Sequence, residues 1–127
     1  MIVEWEVEVT DDFKVWWNGL TEAEQISVVR AVSLLEERGP SLPFPFSSKV
    51  KSSKHPAMRE LRIQHYGRPY RVLYIFDPRR VAILLLGGDK TGDDRWYEQN
   101  VPVADRLYDQ YLSEIGENDD AKDDKIQ

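Results

Sequence analysis

The residues best suited to chemistry in this chain are basic side chains concentrated in residues 49–80. This stretch carries nine lysines and arginines against two carboxylates, Glu60 and Asp77, so its local charge is +7. Arginine binds an anion such as a phosphodiester through paired hydrogen bonds, and lysine binds it as a point charge. The stretch therefore predicts an anion site. The alternative is a solvated basic edge that protects a strand from aggregation.

The charge of the whole chain hides this basic stretch. The protein has 127 residues and a net charge of −6, which taken alone argues against a nucleic-acid partner. The acidic groups lie mostly at the ends, because residues 1–48 and 96–127 each carry a net charge of −6. The sign at the predicted site is therefore opposite to that of the whole chain.

Length and composition restrict the class of protein. The length fits one compact domain, and 41% of the residues are hydrophobic. The absence of cysteine excludes a disulfide framework, a thiolate metal site and a cysteine nucleophile. No apolar run approaches the roughly 18 residues of a membrane span, and no signal peptide is evident. We therefore expect a cytoplasmic protein without a membrane partner.

The N-terminal third is predicted to form a strand and a helical hairpin. Residues 2–9 alternate between acidic and apolar side chains, which is the period of a half-buried strand. Thr10 can cap a first helix, and a capping-box pattern at Thr21 opens a second helix that ends at residues 39–40. The expected buried stripe of the second helix is Val28, Val29, Val32 and Leu35.

The centre of the chain is predicted to form an antiparallel meander after an irregular loop over residues 39–56. Turn patterns at residues 66–69 and 77–80 separate runs rich in aromatic and β-branched residues. The three strands are expected over residues 58–65, 70–76 and 81–86. Gly87 and Gly88 are expected to break the last of them.

The C-terminal part is predicted to be helical. Asp93 or Asp94 can cap a helix, which Pro102 is expected to divide into a short and a longer piece. The expected class is thus α+β, with an N-terminal strand and a helical hairpin packed on an antiparallel meander with a C-terminal helix. The domain is expected over residues 1–115, followed by an acidic, disordered tail over residues 116–127.

The predicted meander brings basic residues together. Arg62 and Arg71 lie on either side of the 66–69 turn, so we expect them to approach each other across the ladder. Lys90 follows the last strand, and three lysines lie in the loop before the meander: Lys49, Lys51 and Lys54. Since no paired carboxylate is expected among these cations, an anionic ligand would offset their repulsion.

Other patterns are less specific. Residues 87–92 resemble a phosphate loop only superficially, because Asp89 stands before the lysine where phosphate would approach. His55 and His65 fit no zinc pattern, and a structural or surface role is expected for each. Exposed aromatic side chains near the basic residues could stack on bases, although core packing explains most of them equally well.

Five short stretches resemble a known family. They are Arg59-Glu60-Leu61-Arg62-Ile63, Tyr70-Arg71-Val72-Leu73-Tyr74, and residues 82–90, 94–97 and 104–108. In these stretches, and in element order over residues 3–115, the chain resembles the RelE/HigB toxin superfamily, specifically its phage-derived HigB-like branch. The resemblance implies a RelE-like fold and the toxin of a type II toxin–antitoxin system.

The resemblance also implies an activity and partners. Such toxins are endoribonucleases (mRNA interferases) that cleave mRNA, typically in the ribosomal A site, and so inhibit translation without a metal or cofactor. A HigA-like helix-turn-helix antitoxin would neutralise the toxin, which would meet DNA only through that antitoxin. The alternatives are a non-catalytic module, such as a ParE-like topoisomerase inhibitor or a regulatory relative, and a small domain that docks an acidic protein.

The resemblance assigns roles by position. Arg62 and Arg71 would stabilise charge on the scissile phosphate, and Lys54 and Lys90 would complete the catalytic set. The residues expected to bind RNA are Lys49, Lys51, Arg59, Arg68 and Tyr97. No residue is expected to bind a metal.

Overall fold

A computed structural model describes the backbone of residues 4–126 and the side chains of residues 4–116. The helices and strands are β1 Val7–Val9, α1 Asp11–Asn18, α2 Glu22–Arg38, β2 Ser47–Lys49, β3 Arg59–His65, β4 Arg68–Phe76, β5 Ala82–Asp89 and α3 Trp96–Ile126. The strands form one mixed sheet in the order β1-β5-β4-β3-β2, in which β1 runs parallel to β5 and the other neighbours are antiparallel. The α+β prediction is confirmed.

Both helix starts of the hairpin are capped as predicted. The Thr10 hydroxyl accepts a hydrogen bond from the backbone N–H of Phe13, and the Thr21 hydroxyl accepts one from Glu24. The Glu24 carboxylate in turn accepts from the backbone N–H of Thr21, at 2.8 Å. Gly39 ends α2 with a φ of 58°, and the ring of Trp5 packs so closely that a Cβ would not fit.

The buried stripe of α2 differs from the predicted one. The buried residues are Val28, Ala31 and Leu35, whereas Val29 is 50% exposed. Val32 is partly buried against the same core. Spacings of three and four residues keep a stripe on one side of a helix, and Val29 lies one position away from it. The small side chain of Ala31 at the centre of the stripe keeps α2 close to the sheet.

Two strand predictions need correction. Among the described residues of the strand predicted over 2–9, β1 covers Val7–Val9, because the backbone N–H of Trp5 bonds instead to the carbonyl of Glu36 at 2.7 Å. Residues 2–3 of that prediction lie outside the part of the chain that the structure describes. The loop over residues 39–56 also contains a strand, β2, which pairs with the start of β3. A buried hydrogen bond from this strand, between Ser47 Oγ and the Tyr74 hydroxyl at 2.6 Å, holds it in place.

The glycine pair at 87–88 does not break the last strand, which continues to Asp89. Gly87 faces the indole of Trp16 in α1, and Gly88 faces the indole of Trp96 in α3 on the opposite side. A Cβ at either position would overlap those rings. The glycines therefore allow a close approach of both helices to the sheet and do not interrupt the strand.

The C-terminal helix is continuous, so the predicted division at Pro102 is wrong. Val101 and Ala104, on either side of the proline, are buried against the sheet, and this packing holds the helix across the lost backbone hydrogen bond. The side chains after residue 116 lie outside the described part of the protein. The predicted domain boundary and tail at residues 116–127 therefore stay predictions.

The sheet is covered on both faces. The hairpin of α1 and α2 packs on one face, and α3 packs on the other over β4 and β5. On this face, α3 lies over β4 and β5, and Glu60 and Arg62 of β3 lie beside that region. These polar residues form part of the site described next. Within the described part of the chain, no helix is both long and apolar enough to cross a membrane.

Candidate functional site

The site is built on a cross-strand pair of arginines. Arg62 of β3 lies directly opposite Arg71 of β4, as the sequence predicts. The two-residue turn at Tyr66-Gly67, with positive φ at both positions, sets this register. Alternation along the strands directs both arginines to the α3 face, away from Leu61 and Ile63, which enter the core under the hairpin.

A carboxylate lies between the two arginines, which corrects the expectation of unpaired cations. Glu60 Oε1 is 3.1 Å from a terminal nitrogen of Arg62 and 3.6 Å from Nε of Arg71. It also accepts a hydrogen bond from Ser48 Oγ in β2, at 2.8 Å. The carboxylate is buried, at 5% exposure, and it offsets the repulsion of two like charges placed opposite each other.

Arg71 is the most enclosed cation of the site, at 3% exposure. One terminal nitrogen donates to the carbonyl of Tyr70 at 2.9 Å. Among the buried side-chain atoms of the described residues, its Nε is the one without a hydrogen-bond partner. An unsatisfied buried donor costs about 1–3 kcal/mol, and the Glu60 carboxylate, 3.6 Å from this nitrogen, offsets the charge of the guanidinium without a hydrogen bond to it.

Two further predicted residues lie at the same place. Tyr97, in the first turn of α3, faces Glu60 and Arg71. Burial raises the pKa of Tyr97 and the hydrogen bond to Glu60 raises it further, while Arg71 acts in the opposite direction. The ammonium of Lys90 lies 5.6 Å from the centre of the Tyr97 ring, over its face. The site therefore contains Arg62, Arg71, Lys90 and Tyr97 together.

A cavity of about 310 Å³ opens beside Tyr97 and Glu60. Its other wall is residues 49–52, so Lys49 and Lys51 border it. Lys49 and Lys51 of the basic loop (residues 49–54) thus border a cavity that Glu60 and Tyr97 also line.

Lys54, the third lysine, is engaged elsewhere. Its ammonium forms an ion pair with Asp109 of α3, and this contact lowers the pKa of Asp109 and raises that of Lys54. His55 Nε2 lies 2.9 Å from the same carboxylate, and Asp105 accepts from Ser53 and from the backbone N–H of Lys54. Two carboxylates of α3 therefore fasten this part of the loop.

Two other predicted residues also lie away from the arginine pair. Arg68 is the first residue of β4, next to the turn between β3 and β4, and its guanidinium is paired with Asp89 at 2.6 Å. Arg59 lies on the hairpin face of β3, where its Nε donates to Ser47 Oγ at 2.9 Å. His65, near the same turn, shares a 2.7 Å hydrogen bond with Ser27 of α2, which fits a structural role.

Sequence comparison identifies the family. The model of the phage-derived protein Gp49-like family matches residues 15–109. The candidate toxin HigB3 of Mycobacterium tuberculosis is 44% identical over 99 residues, which are 77% of this chain and 85% of HigB3. The chain belongs to the RelE/HigB toxin superfamily. The candidate toxin HigB2 of the same organism is 37% identical over 115 residues, which are 89% of this chain and 57% of HigB2.

Solved structures of the superfamily share the fold. The RelBE2 toxin–antitoxin complex of Mycobacterium tuberculosis contains a chain with a TM-score of 0.51 and 17% identity, covering 68% of this chain and 99% of that one. The archaeal RelE–RelB complex of Pyrococcus horikoshii matches with a TM-score of 0.51 and 18% identity, covering 68% of this chain and 96% of that one. At these identities the likeness concerns the fold alone.

Glu60 is the residue of the site that the sequence argument missed. The alternation of β3 already places it on the same face as Arg62, two residues away. The local charge of +7 reflects the many cations of residues 49–80 and hides the one carboxylate of β3 that faces them.

Proposed function

We propose that the protein is the toxin of a type II toxin–antitoxin system and a metal-independent endoribonuclease that acts on mRNA. The observation that carries the proposal is the arrangement of Arg62, Arg71 and Glu60 on one face of the sheet, where Arg71 and Glu60 are buried and Arg62 is partly exposed. Two guanidinium groups beside a carboxylate can stabilise a doubly charged phosphorane and accept a proton next to it. Family membership and the toxin relatives support the same proposal.

The proposed reaction uses the ribose next to the scissile phosphate. Glu60 takes the proton of the 2′-hydroxyl, O2′ bonds to the adjacent phosphorus, and the bond from phosphorus to O5′ breaks. Arg62 and Arg71 bind the non-bridging oxygens as charge develops on them. Lys90 donates a proton to the departing O5′. The products are a 2′,3′-cyclic phosphate and a 5′-hydroxyl.

The remaining predicted residues receive supporting roles in this proposal. Tyr97 orients the base or the phosphate from the floor of the cavity, and Lys51 binds RNA at its wall. Because the ammonium of Lys54 is paired with Asp109, we assign it to holding the basic loop against α3 rather than to proton transfer. Arg68 is assigned to the outer edge of the RNA-binding surface.

We also propose the partners and the compartment. The structural neighbours are complexes of a toxin with its antitoxin, and we propose that this protein likewise forms a complex with a HigA-like antitoxin. The substrate is proposed to be mRNA in the ribosomal A site, and the compartment the cytoplasm. DNA is met only through the antitoxin.

Expression without the antitoxin tests the activity. The wild-type protein should arrest growth, and primer extension on total RNA should show new mRNA ends, whereas the Arg62→Ala/Arg71→Ala variant should do neither. Equal arrest by both proteins would contradict the assignment of the arginines. Arrest with intact mRNA and altered DNA supercoiling would favour a ParE-like topoisomerase inhibitor instead. Cleavage of purified mRNA with and without ribosomes tests ribosome dependence.

A further inference from the structure

A second pair of like charges lies on the opposite face of the sheet. Lys49 of β2 is directly opposite Arg59 of β3 in the strand register. Alternation along β3 separates Arg59 from Arg62 by face, so this pair belongs to the side covered by the helical hairpin. Like charges directly opposite each other destabilise a sheet unless something offsets them.

This pair borders a groove with a third cation. The groove has a volume of about 430 Å³ and lies between Pro40, Pro56 and the ring of Phe76. Arg80, in the turn between β4 and β5, lines it as well, and its guanidinium lies over the ring of Trp5 at 5.2 Å. Three basic side chains thus meet around a partly apolar groove.

The groove has no free carboxylate among the residues that line it. Asp77 is the one acidic residue there, and its side chain is fully buried and paired with Arg79 at 2.6 Å. It also accepts hydrogen bonds from the backbone N–H groups of Arg79 and Val81. Within residues 4–116 no ion pair involves Lys49, Arg59 or Arg80. In this respect the groove differs from the first site, where Glu60 offsets the arginine pair.

We infer that this groove binds a backbone phosphate of the same single-stranded RNA whose cleavage is proposed above. This phosphate would be separated from the scissile one by the edge strand β2. The inference rests on that proposed function. Lys49 borders both the cavity beside Tyr97 and the second groove, so the short edge strand β2 is a wall shared by the two sites. A polyanion crossing this edge meets cations on both sides, and the RNA proposed to be cleaved at the first site carries a phosphate at every nucleotide along such a path.

Binding of RNA that cannot be cleaved tests the inference separately from catalysis. The probes are fluorescent, fully 2′-O-methylated RNAs of three and twelve nucleotides, and the variants are Arg59→Gln/Arg80→Asn and Arg80→Asn alone. Asparagine suits position 80 because Arg80 has a φ of 68°. Arg106→Gln is the matched control, since Arg106 is an exposed arginine of α3 that lines neither groove.

The expected result depends on RNA length. The double variant should bind the twelve-nucleotide RNA about tenfold more weakly at low salt, and the slope of log affinity against log salt should fall by about 1.4, or about 0.7 for Arg80→Asn alone. Binding of the three-nucleotide RNA should be unchanged in both, and Arg106→Gln should resemble the wild type throughout. The exposed single variant keeps the test decisive if the double variant folds poorly.

Other outcomes overturn the inference. If both groove variants bind the twelve-nucleotide RNA like the wild type while Arg62→Gln loses it, the groove is not an RNA site and the proposed function stands. If polyglutamate, and not RNA, binds in a way that depends on Arg80, the groove serves an acidic protein segment. If the groove variants lose RNA but Arg62→Ala/Arg71→Ala leaves growth arrest intact, the groove is an RNA site and the assignment of the two arginines to catalysis fails.

Discussion

At the scale of single residues, the site depends on one carboxylate among cations. Arg62 and Arg71 face each other across the ladder, and Glu60 is within 3.6 Å of both. A buried charge is costly unless it is paired, and here each charge reduces the cost of the others. The carboxylate therefore holds the arginines in place before any ligand binds, and it is the one described carboxylate placed beside both of them.

The first prediction concerns the catalytic role of this carboxylate. Glu60→Gln keeps a hydrogen-bonding group next to Ser48 but removes the base, so the cleavage rate should fall by about 100-fold or more. Affinity for uncleavable RNA should stay equal or increase, because a negative charge near the phosphate is lost. Single-turnover cleavage and fluorescence anisotropy measure the two effects.

Glu98→Gln is the matched control for this variant, because Glu98 is exposed on α3 and paired with Arg95. Its cleavage rate should equal that of the wild type. A full cleavage rate in Glu60→Gln would exclude Glu60 as the base and leave it as a residue that positions the arginines.

At the scale of elements, the close approach of helices to the sheet depends on glycines, which have no side chain to separate the two. A Cβ at Gly88 would lie 2.6 Å from Nε1 of Trp96, the first residue of α3. The next residue of that helix, Tyr97, belongs to the site. Gly88 thus sets how near the start of α3 comes to the arginine pair, and its effect on packing is also an effect on the site.

The second prediction tests this contact. Gly88→Ala should lower the free energy of unfolding by about 1–3 kcal/mol through overpacking, and it should also slow RNA cleavage because Tyr97 moves. Gly116→Ala is the matched control, since open space surrounds Gly116 in α3. It should be neutral or stabilise the protein by up to about 1 kcal/mol. Urea unfolding measures the stability of both variants, and single-turnover cleavage measures the effect on the site. Equal stability of the two variants would contradict the close approach of Trp96 to Gly88.

The third prediction concerns the capping box of α2. The backbone hydrogen bond from Thr21, and then that from the Tyr70 hydroxyl, lower the pKa of Glu24 below its ordinary value. A lowered pKa in the folded state means that ionised Glu24 stabilises the fold above its unfolded pKa. That stabilisation is lost as the pH falls through the folded value. Glu24→Gln should therefore destabilise the protein at pH 7 and much less at pH 3.

Urea unfolding at the two pH values measures this difference. Glu22→Gln is the control, because Glu22 is an exposed residue of the same helical turn. It should show a smaller change with pH. A constant difference between Glu24→Gln and the wild type at both pH values would show that ionisation of Glu24 is not involved.

The accuracy of the sequence predictions differs by element for physical reasons. The caps at Thr10 and Thr21 were predictable because capping is local chemistry, and the Arg62–Arg71 pair followed from a short hairpin whose register the turn fixes. The pairing of β2, the continuation of β5 through two glycines and the unbroken α3 all depend on distant partners. Local patterns carry no record of those partners, so these features could not be predicted from the sequence.

The residues of the site also differ in how well the sequence predicts their positions. Alternation correctly placed Arg62 and Arg71 on one face, but Lys54 and Arg68 are paired with Asp109 and Asp89, which are remote in sequence. Charge counting treats all cations of residues 49–80 alike. Only the fold separates those with acidic partners from those without.

At the scale of the whole molecule, opposite charges occupy different regions. The centre of the chain is basic, and the described part of α3 supplies carboxylates that fasten the basic loop. Residues 117–127 add five acidic side chains against two basic ones. Long-range repulsion from these acidic groups should limit indiscriminate binding of RNA to the basic face.

The fourth prediction tests this effect. Changing Asp119, Asp120, Asp123 and Asp124 to Asn shifts the net charge from −6 to −2. Affinity for RNA of unrelated sequence should rise a few-fold at low salt and equal that of the wild type near 1 M salt, where the screening length is about 3 Å. Anisotropy titrations over a salt series measure it, with Asn118→Ser as a neutral control. A gain that persists at high salt would contradict an electrostatic origin.

The parallel pairing of β1 with β5 has a consequence for how the protein is made. Val7 pairs with Ala82, and the Thr10 hydroxyl bonds to the carbonyl of Leu85, 75 residues later. The first strand to be synthesised therefore cannot enter the sheet until the last strand has been made, and a contact of such long range forms slowly. During that interval Glu8 of this strand, together with Glu4 and Glu6 in the segment before it, should discourage pairing with other unfinished chains. Those glutamates protect the polypeptide before there is any fold to stabilise.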